Sequence, residues 1–218
     1  MVLSLKVAAQ MLWAPREAAR EAAGAAVWLP WSLLALAAGF ADYPRLLRLG
    51  AAAFAQARID ATPNGMFPGS ILFYLGLSYA APLLLPLASW VVGRLMALYT
   101  QFVLDVKVKR QDIVRIMAYG FLPMALERTL VGALILLCGP SCDPLNPLAS
   151  NFAFFLKPKE TQVFWYEMAR GVDLFSIWTM VLLGKSLGAL MEWPASRFLP
   201  GFVFVWAVGV MVRAWLLA

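Results

Sequence analysis

Long apolar runs constrain the fold of this chain more than any other feature. Five runs approach or exceed the ~20 residues that a helix needs to cross the hydrocarbon core of a bilayer. They cover residues 22–41, 70–104, 113–138, 172–191 and 199–217. In that core every backbone polar group must find a partner inside the protein, so the runs are expected to be helical. The sequence therefore predicts an all-α, polytopic integral membrane bundle of about five transmembrane helices, forming a single domain over residues 1–218.

The composition agrees with this prediction and narrows the classes of partner that the chain is expected to bind. Apolar residues make up 62% of the 218 and charged residues only 14%, whereas soluble domains are about half apolar and a quarter charged. The net charge of +6 comes from basic residues that flank the apolar runs, as membrane proteins require. No basic face interleaved with aromatic residues appears, so membrane lipids are the expected partners and nucleic acid is not.

Segments outside the runs have the character of interfacial helices. Residues 1–21 are predicted to be an interfacial amphipathic segment. Within and just beyond it, Met11 to Ala23 are expected to form a short amphipathic helix with Pro15 at its start and charged residues such as Arg16 and Glu17 on its polar side. Residues 43–60 have the same pattern. Pro82 and Pro86 divide the long second run, which predicts either one kinked helix or a re-entrant pair.

The orientation follows from the distribution of basic residues. Residues 106–115, "VKVKRQDIVR", form the densest basic loop and are expected on the cytoplasmic side. With five spans the amino terminus shares that side, and Lys6 and Arg16 agree. Lys157 and Lys159 fall on the opposite side and argue against it. An inside amino terminus is favoured.

Charges inside the runs are costly, and they mark candidate functional positions. Lys185 and Arg213 lie near run ends, from which long side chains reach the interface. At ~1.5 Å of rise per residue, Arg128 comes level with Asp173 on an antiparallel neighbour, and the same argument places Glu127 level with Arg94. Pairing would offset part of the cost of burying each charge. The alternative for Asp173 is that it caps the amino terminus of its own helix.

The remaining candidate residues indicate packing or redox chemistry rather than catalysis. Phe175 and Trp178 follow Asp173 at helical spacing and are predicted to pack inside the bundle. Cys138 and Cys142 frame a "GPS" turn, which permits a disulfide if that loop faces an oxidising compartment, or else two free thiols. The chain has no histidine, no Walker loop and no GxGxxG motif, so we expect no enzyme, no cofactor and no metal site.

Four segments, taken in order, resemble the Yip domain family of multi-pass membrane proteins. They are "LWAPREAAREA" (12–22), "YGFLPMAL" (119–126), "NPLASNFAFFL" (146–156) and "DLFSIWTMVLLGKSLG" (173–188). The second contains Tyr119 and Pro123, which we assign to bundle packing. The resemblance covers nearly the whole chain and is greatest to prokaryotic members, which implies a bacterial protein of the inner (cytoplasmic) membrane. Eukaryotic members are named for binding Ypt/Rab GTPases, but their "DLYGP"-type motif and long soluble amino-terminal region are missing here, so GTPase binding is doubtful.

Two classes of function remain open. The resemblance implies a non-enzymatic scaffold or adaptor in membrane organisation, lipid handling or membrane-protein assembly, with a protein partner or a second copy of the chain. The alternative is a transporter or lipid-conducting subunit in which the intramembrane charges line a cavity. A closed bundle would favour the scaffold, and an open cleft at the depth of Glu127 would favour the transporter. Because no repeat or midplane helix break marks a transport site, the scaffold is preferred.

Overall fold

Helices account for nearly all of the described chain. The computed structural model describes residues 2–22, 24–50, 71–106, 108–138, 148, 150–156 and 161–217. The α-helices in these residues are α1 (Val2–Trp13), α2 (Pro15–Ala22), α3 (Trp28–Leu49), α4 (Ile71–Phe102), α5 (Arg110–Gly120), α6 (Leu122–Cys138), α7 (Val163–Gly171), α8 (Leu174–Met191) and α9 (Leu199–Leu217). Instead of strands, these ranges contain one isolated antiparallel bridge, between Asn151 and Asp173. The predicted all-α bundle is confirmed.

Contacts between helices show that the long segments alternate in direction. The Trp31 indole donates to Ser89 Oγ at 3.1 Å, and Gly39 faces Pro82, so α3 and α4 are antiparallel. Leu34 packs with Ala125 near the start of α6, and Ala41 packs with Val131 further along it, so α3 and α6 run in parallel. The order of the long segments is therefore up, down, up through α3, α4 and α5–α6.

The last two long helices continue this alternation. Leu183 of α8 lies against Gly120 at the end of α5, and Leu199 at the start of α9 lies against Gly184. Because α9 begins beside the carboxyl-terminal half of α8, the two helices are antiparallel. Val210 then meets Gly171 at the end of α7. Five long segments thus run alternately between two ends of the bundle.

The third apolar run is divided into α5 and α6 at Phe121. Pro123 lacks a backbone N–H and its ring cannot pass the carbonyl four residues earlier, that of Tyr119. The chain forms a turn at this point. In it, Phe121 N–H donates to Met117 O at 3.1 Å, and Met124 N–H donates to Phe121 O at 2.9 Å. The second run, by contrast, is one continuous helix, α4, despite Pro82 and Pro86. A re-entrant pair is absent from its described part, residues 71–102.

The amino-terminal helices α1 and α2 are part of the bundle core. On α2, the face formed by Pro15, Ala18, Ala19 and Ala22 is buried, and it packs against α5 and α8 in the largest hydrophobic cluster. Fully buried Ser186 of α8 lies 3.3 Å from the carbonyl oxygen of Pro15. The apolar face predicted to lie on the membrane is therefore covered by protein, while Arg16, Glu17 and Arg20 remain exposed.

One end of the bundle, which we call the basic end, contains α1, α2, the turn between α4 and α5, and the turn between α8 and α9. In these elements and the first two turns of α5, the described charged residues are seven cations and five carboxylates: Lys6, Arg16, Arg20, Lys109, Arg110, Arg115 and Arg197, against Glu17, Glu21, Asp105, Asp112 and Glu192. A surplus of cations at one end is typical of the cytoplasmic side of a membrane protein.

Four helical stretches are long and apolar enough to cross a membrane. They cover residues 82–102, 110–137, 174–191 and 195–212. Exposed large side chains on them, including Leu83, Leu137 and Phe204, would make an apolar surface larger than a soluble protein tolerates. The chain is therefore a membrane protein. With 22 residues, α3 has the length of a span, but its last turns carry Asp42, Pro44 and Arg45, and it is not one of the four.

Candidate functional site

Asp173 is the N-cap residue of α8, as the capping alternative predicts. Its carboxylate accepts a hydrogen bond from the backbone N–H of Ser176 at 2.8 Å, and the Ser176 hydroxyl donates to its other oxygen. On either side of Asp173, Leu174 N–H donates to Ser150 O at 3.2 Å and Phe152 N–H donates to Val172 O at 3.1 Å, which holds the chain extended where the cap requires it. The buried charge is therefore stabilised by hydrogen bonds and by the amino terminus of α8.

Arg128 and Asp173 are not brought together in an ion pair. Both belong to the part of the chain that the structure describes, where the ion pairs are Lys6–Glu21, Arg115–Asp112 and Arg170–Glu167. The Nε atom of Arg128 is buried and has no hydrogen-bond partner there. Equal depth on neighbouring helices is thus not enough to predict an ion pair. The rotation of each helix about its axis also decides which side chains meet.

Arg94 likewise lies far from its predicted partner. Beside it, Gly93 approaches the backbone of Val114 on α5. Val114 precedes Glu127 by 13 residues, which is roughly 20 Å of helical rise. The Arg94 guanidinium instead lies over the indole of Trp90, 5.2 Å from the ring centroid, in a cation–π contact.

The surroundings of Arg94 form a groove of about 310 Å³ at the basic end, which we call the arginine groove. Its walls come from the starts of α3 and α5 and from α4. They present two indoles and three guanidinium groups to the same open space: Trp31, Trp90, Arg94, Arg110 and Arg115. No carboxylate is among its described lining residues. Three guanidinium groups thus line one open space.

The three guanidinium groups of the arginine groove differ in their partners. Arg110 donates two hydrogen bonds to the neutral amide oxygen of Gln101, at 3.2 and 2.6 Å. Arg115 donates to a carboxylate oxygen of Asp112 at 3.3 Å. A second depression of about 390 Å³ adjoins the groove through Arg110 and is also lined by Lys109. Among the interactions described, a carboxylate therefore balances the charge of only one of the three guanidinium groups, that of Arg115.

A buried ion pair on α7 escaped the sequence predictions. Glu167 is 1% exposed, and its carboxylate accepts a hydrogen bond from Arg170 at 2.7 Å. The signal was present in "YEMAR", where opposite charges stand three residues apart on one helix face. Because residues 163–171 lie outside the long apolar runs, a search for charges inside those runs does not reach this pair.

Tyr119 and Phe175, two of the residues predicted to pack inside the bundle, are buried. Tyr119 is fully buried, and its hydroxyl donates to the carbonyl oxygen of Ala26 at 2.9 Å. Ala26 N–H donates to Ser4 Oγ at 3.0 Å, so one polar chain joins α1, the start of α3 and α5. The rings of Phe175 and Trp178 lie 6.3 Å apart, and Phe175 is buried.

The cysteine prediction falls on residues that the structure does not describe. Cys142 and the side chain of Cys138 lie outside the described set, so the disulfide stays a prediction. Among the described residues, no cluster of three or more histidine, cysteine or carboxylate side chains is placed to hold a metal ion.

The fold and the arginine groove define the class of protein: a multi-pass, all-helical membrane protein with a basic, tryptophan-walled groove at one end. Comparisons with family models, with curated proteins and with solved structures found no match. The resemblance to the Yip domain family therefore stays a prediction from the sequence.

Proposed function

We propose that this chain is a non-enzymatic scaffold or adaptor of the bacterial cytoplasmic membrane, acting in membrane organisation, lipid handling or membrane-protein assembly. Its partners are membrane lipids and a second protein or a second copy of the chain. The basic end faces the cytoplasm. The surplus of cations at that end supports this orientation, and the resemblance to prokaryotic Yip domain proteins supports the compartment.

The observation that carries the proposal is close packing between the helices. Neighbouring atoms occupy the space of a Cβ at Gly120, where they come from α8, at Gly132, where they come from α3, and at Gly171, where they come from α9. Small residues at close crossings are how helices associate in a membrane, where no hydrophobic force drives them together. A bundle joined this closely suits a protein that presents a fixed surface, since a conduit needs space between its helices.

The intramembrane charges support the same proposal. The carboxylate of Asp173 is used in capping α8. Neither of the two grooves at the basic end is lined by Glu127, Arg128 or Asp173. The charges that a transporter would place on its pathway are therefore separated from the open spaces described above.

One observation favours the alternative, a transporter or lipid-conducting subunit. Arg128 Nε is buried without a hydrogen-bond partner among the described residues, and buried polar atoms normally have one. In a conducting protein, that atom would contact a permeating anion or a chain of water molecules.

A flux experiment separates the two functions. The purified chain is placed in vesicles, and release of an anionic dye and scrambling of a fluorescent phospholipid are measured against protein-free vesicles. We expect both rates to equal the protein-free rates, and Arg128→Ala to leave them unchanged. A rate at least tenfold above the protein-free rate that falls in Arg128→Ala would replace the scaffold with the transporter.

A further inference from the structure

We propose that the arginine groove binds the phosphate of an anionic phospholipid headgroup, with the acyl chains lying along α4. The site is independent of the scaffold function proposed above, since a headgroup site could serve a scaffold or a transporter. It is assigned from the position of Arg94 on α4, from the charge of the groove and from its tryptophan walls.

The position of Arg94 is the first argument. Trp90 and Leu98, one helical turn to either side, are 39% and 43% exposed, and Arg94 itself is exposed between them. These residues belong to a stretch apolar enough to cross a membrane, so Arg94 faces lipid. Eight residues, about 12 Å of rise, separate it from the end of α4. A cation at that depth is costly unless an anion meets it, and the phosphate of a phospholipid can do so.

The charge of the arginine groove is the second argument. Arg94 contacts an indole ring and Arg110 bonds a neutral amide, so neither guanidinium has a carboxylate partner among the described residues. Guanidinium groups present planar, forked donors that match phosphate oxygens and hold them with paired, charge-assisted hydrogen bonds. Two such groups in one groove, with Arg115 beside them, fit a phosphate diester.

The tryptophan walls identify a lipid rather than a free anion. Trp31 is fixed by its hydrogen bond to Ser89, and Trp90 is held under Arg94. An indole can contact hydrocarbon with its ring while its N–H meets a polar group, so these walls suit a ligand that has both apolar and polar parts. From Trp90 the apolar surface continues along α4 through exposed Leu87 and Leu83. A free phosphate would leave this surface without a role, whereas acyl chains would cover it.

The test measures lipid affinity of the full chain in detergent by native mass spectrometry. Phosphatidylglycerol and phosphatidylcholine with identical acyl chains are titrated separately. We expect tighter binding of phosphatidylglycerol. Arg94→Gln and Arg110→Gln should each lower its affinity about fivefold, and the double variant about 25-fold, from the contribution of each basic residue to anionic-lipid binding. Phosphatidylcholine binding should stay unchanged.

Arg197→Gln is the matched control. Arg197 lies at the same end and also stacks on an indole, 4.4 Å from the centroid of Trp193, but it does not line the groove. Its replacement removes the same charge and should change phosphatidylglycerol affinity less than twofold. An equal loss in Arg197→Gln would mean a general charge effect and overturn the site, as would equal affinities for the two lipids.

Two further arms complete the test. Inorganic phosphate in millimolar excess should leave phosphatidylglycerol bound, and displacement would mean a free-anion site instead of a lipid site. Thermal unfolding of each variant verifies its fold. If Arg94→Gln does not fold, Arg94→Lys decides: this variant retains the charge and should lose clearly less than the roughly fivefold expected for removing it, and a loss of about fivefold or more in the folded variant would overturn the role of charge.

Discussion

Replacing Arg170 with alanine is expected to lower the free energy of unfolding by about 3 kcal/mol, the low end of the range for breaking a buried ion pair. The change removes a 2.7 Å hydrogen bond from a carboxylate whose side chain is 2% exposed. A carboxylate so placed has little access to water, so losing a charged partner removes part of what offsets its desolvation cost. The low end applies because the Arg170 side chain is itself 23% exposed. Denaturant-induced unfolding in mixed micelles measures the change.

Lys6→Ala is the matched control for Arg170→Ala. Lys6 and Glu21 are also 2.7 Å apart, but their side chains are 54% and 31% exposed. Exposed pairs of this kind are worth ~0–1 kcal/mol. In the double variant Glu167→Gln/Arg170→Met, both charges are removed with similar volumes retained, and we expect most of the lost stability to return. Equal losses in Arg170→Ala and Lys6→Ala would show that burial does not determine the strength of the α7 pair.

Gly132→Ala is expected to lower the free energy of unfolding by ~1–3 kcal/mol. A Cβ at this position would overlap the carbonyl oxygen and ring of Phe40 on α3. The backbone of α3 cannot give way as a flexible side chain can, so the two helices must move apart and lose contacts along their length. Alanine gains up to ~1 kcal/mol of helix propensity over glycine, so the clash must exceed this gain for the loss to appear.

Gly209→Ala supplies the control for this substitution. Gly209 lies within a helix of similar apolar character, α9, and a Cβ there would meet no atom within 4 Å. The same chemical change should therefore stabilise the protein slightly or leave it unchanged, since only the propensity gain acts. If Gly132→Ala and Gly209→Ala unfold at the same denaturant concentration, then close contact between α3 and α6 does not hold the bundle together.

The sequence predicted the helices better than the contacts between them. Run length and composition suffice to locate a membrane helix, and a lone aspartate ahead of an apolar run is a strong capping signal, as Asp173 shows. The side chain that Arg128 meets depends on the rotation of α6 and α8. Because α8 is apolar on all sides, its sequence pattern does not mark the face that turns inward.

Two further differences between prediction and structure also arise because a sequence pattern does not specify how helices pack against each other. The alanine face of α2 was predicted to contact lipid, but alanine is small enough for close helix packing, and Ala18 and Ala19 are fully buried against protein. Amphipathic pattern alone does not distinguish a lipid surface from a protein surface. The arginine groove was missed because Arg94 and Arg110 are 16 positions apart and become neighbours only through the packing of α4 on α5.

Alternation of five long helical segments between the two ends of the bundle is the central structural claim, and labelling of single cysteines across the membrane tests it most directly. Cysteines are introduced at Lys6, Lys109 and Gln162, all exposed, with Cys138 and Cys142 replaced by serine. A membrane-impermeant maleimide is applied to right-side-out and to inside-out membrane vesicles that contain each variant. We predict that positions 6 and 109 label from one side and position 162 from the other. Labelling of 6 and 109 from opposite sides would contradict the account, since α3 and α4 would not both cross.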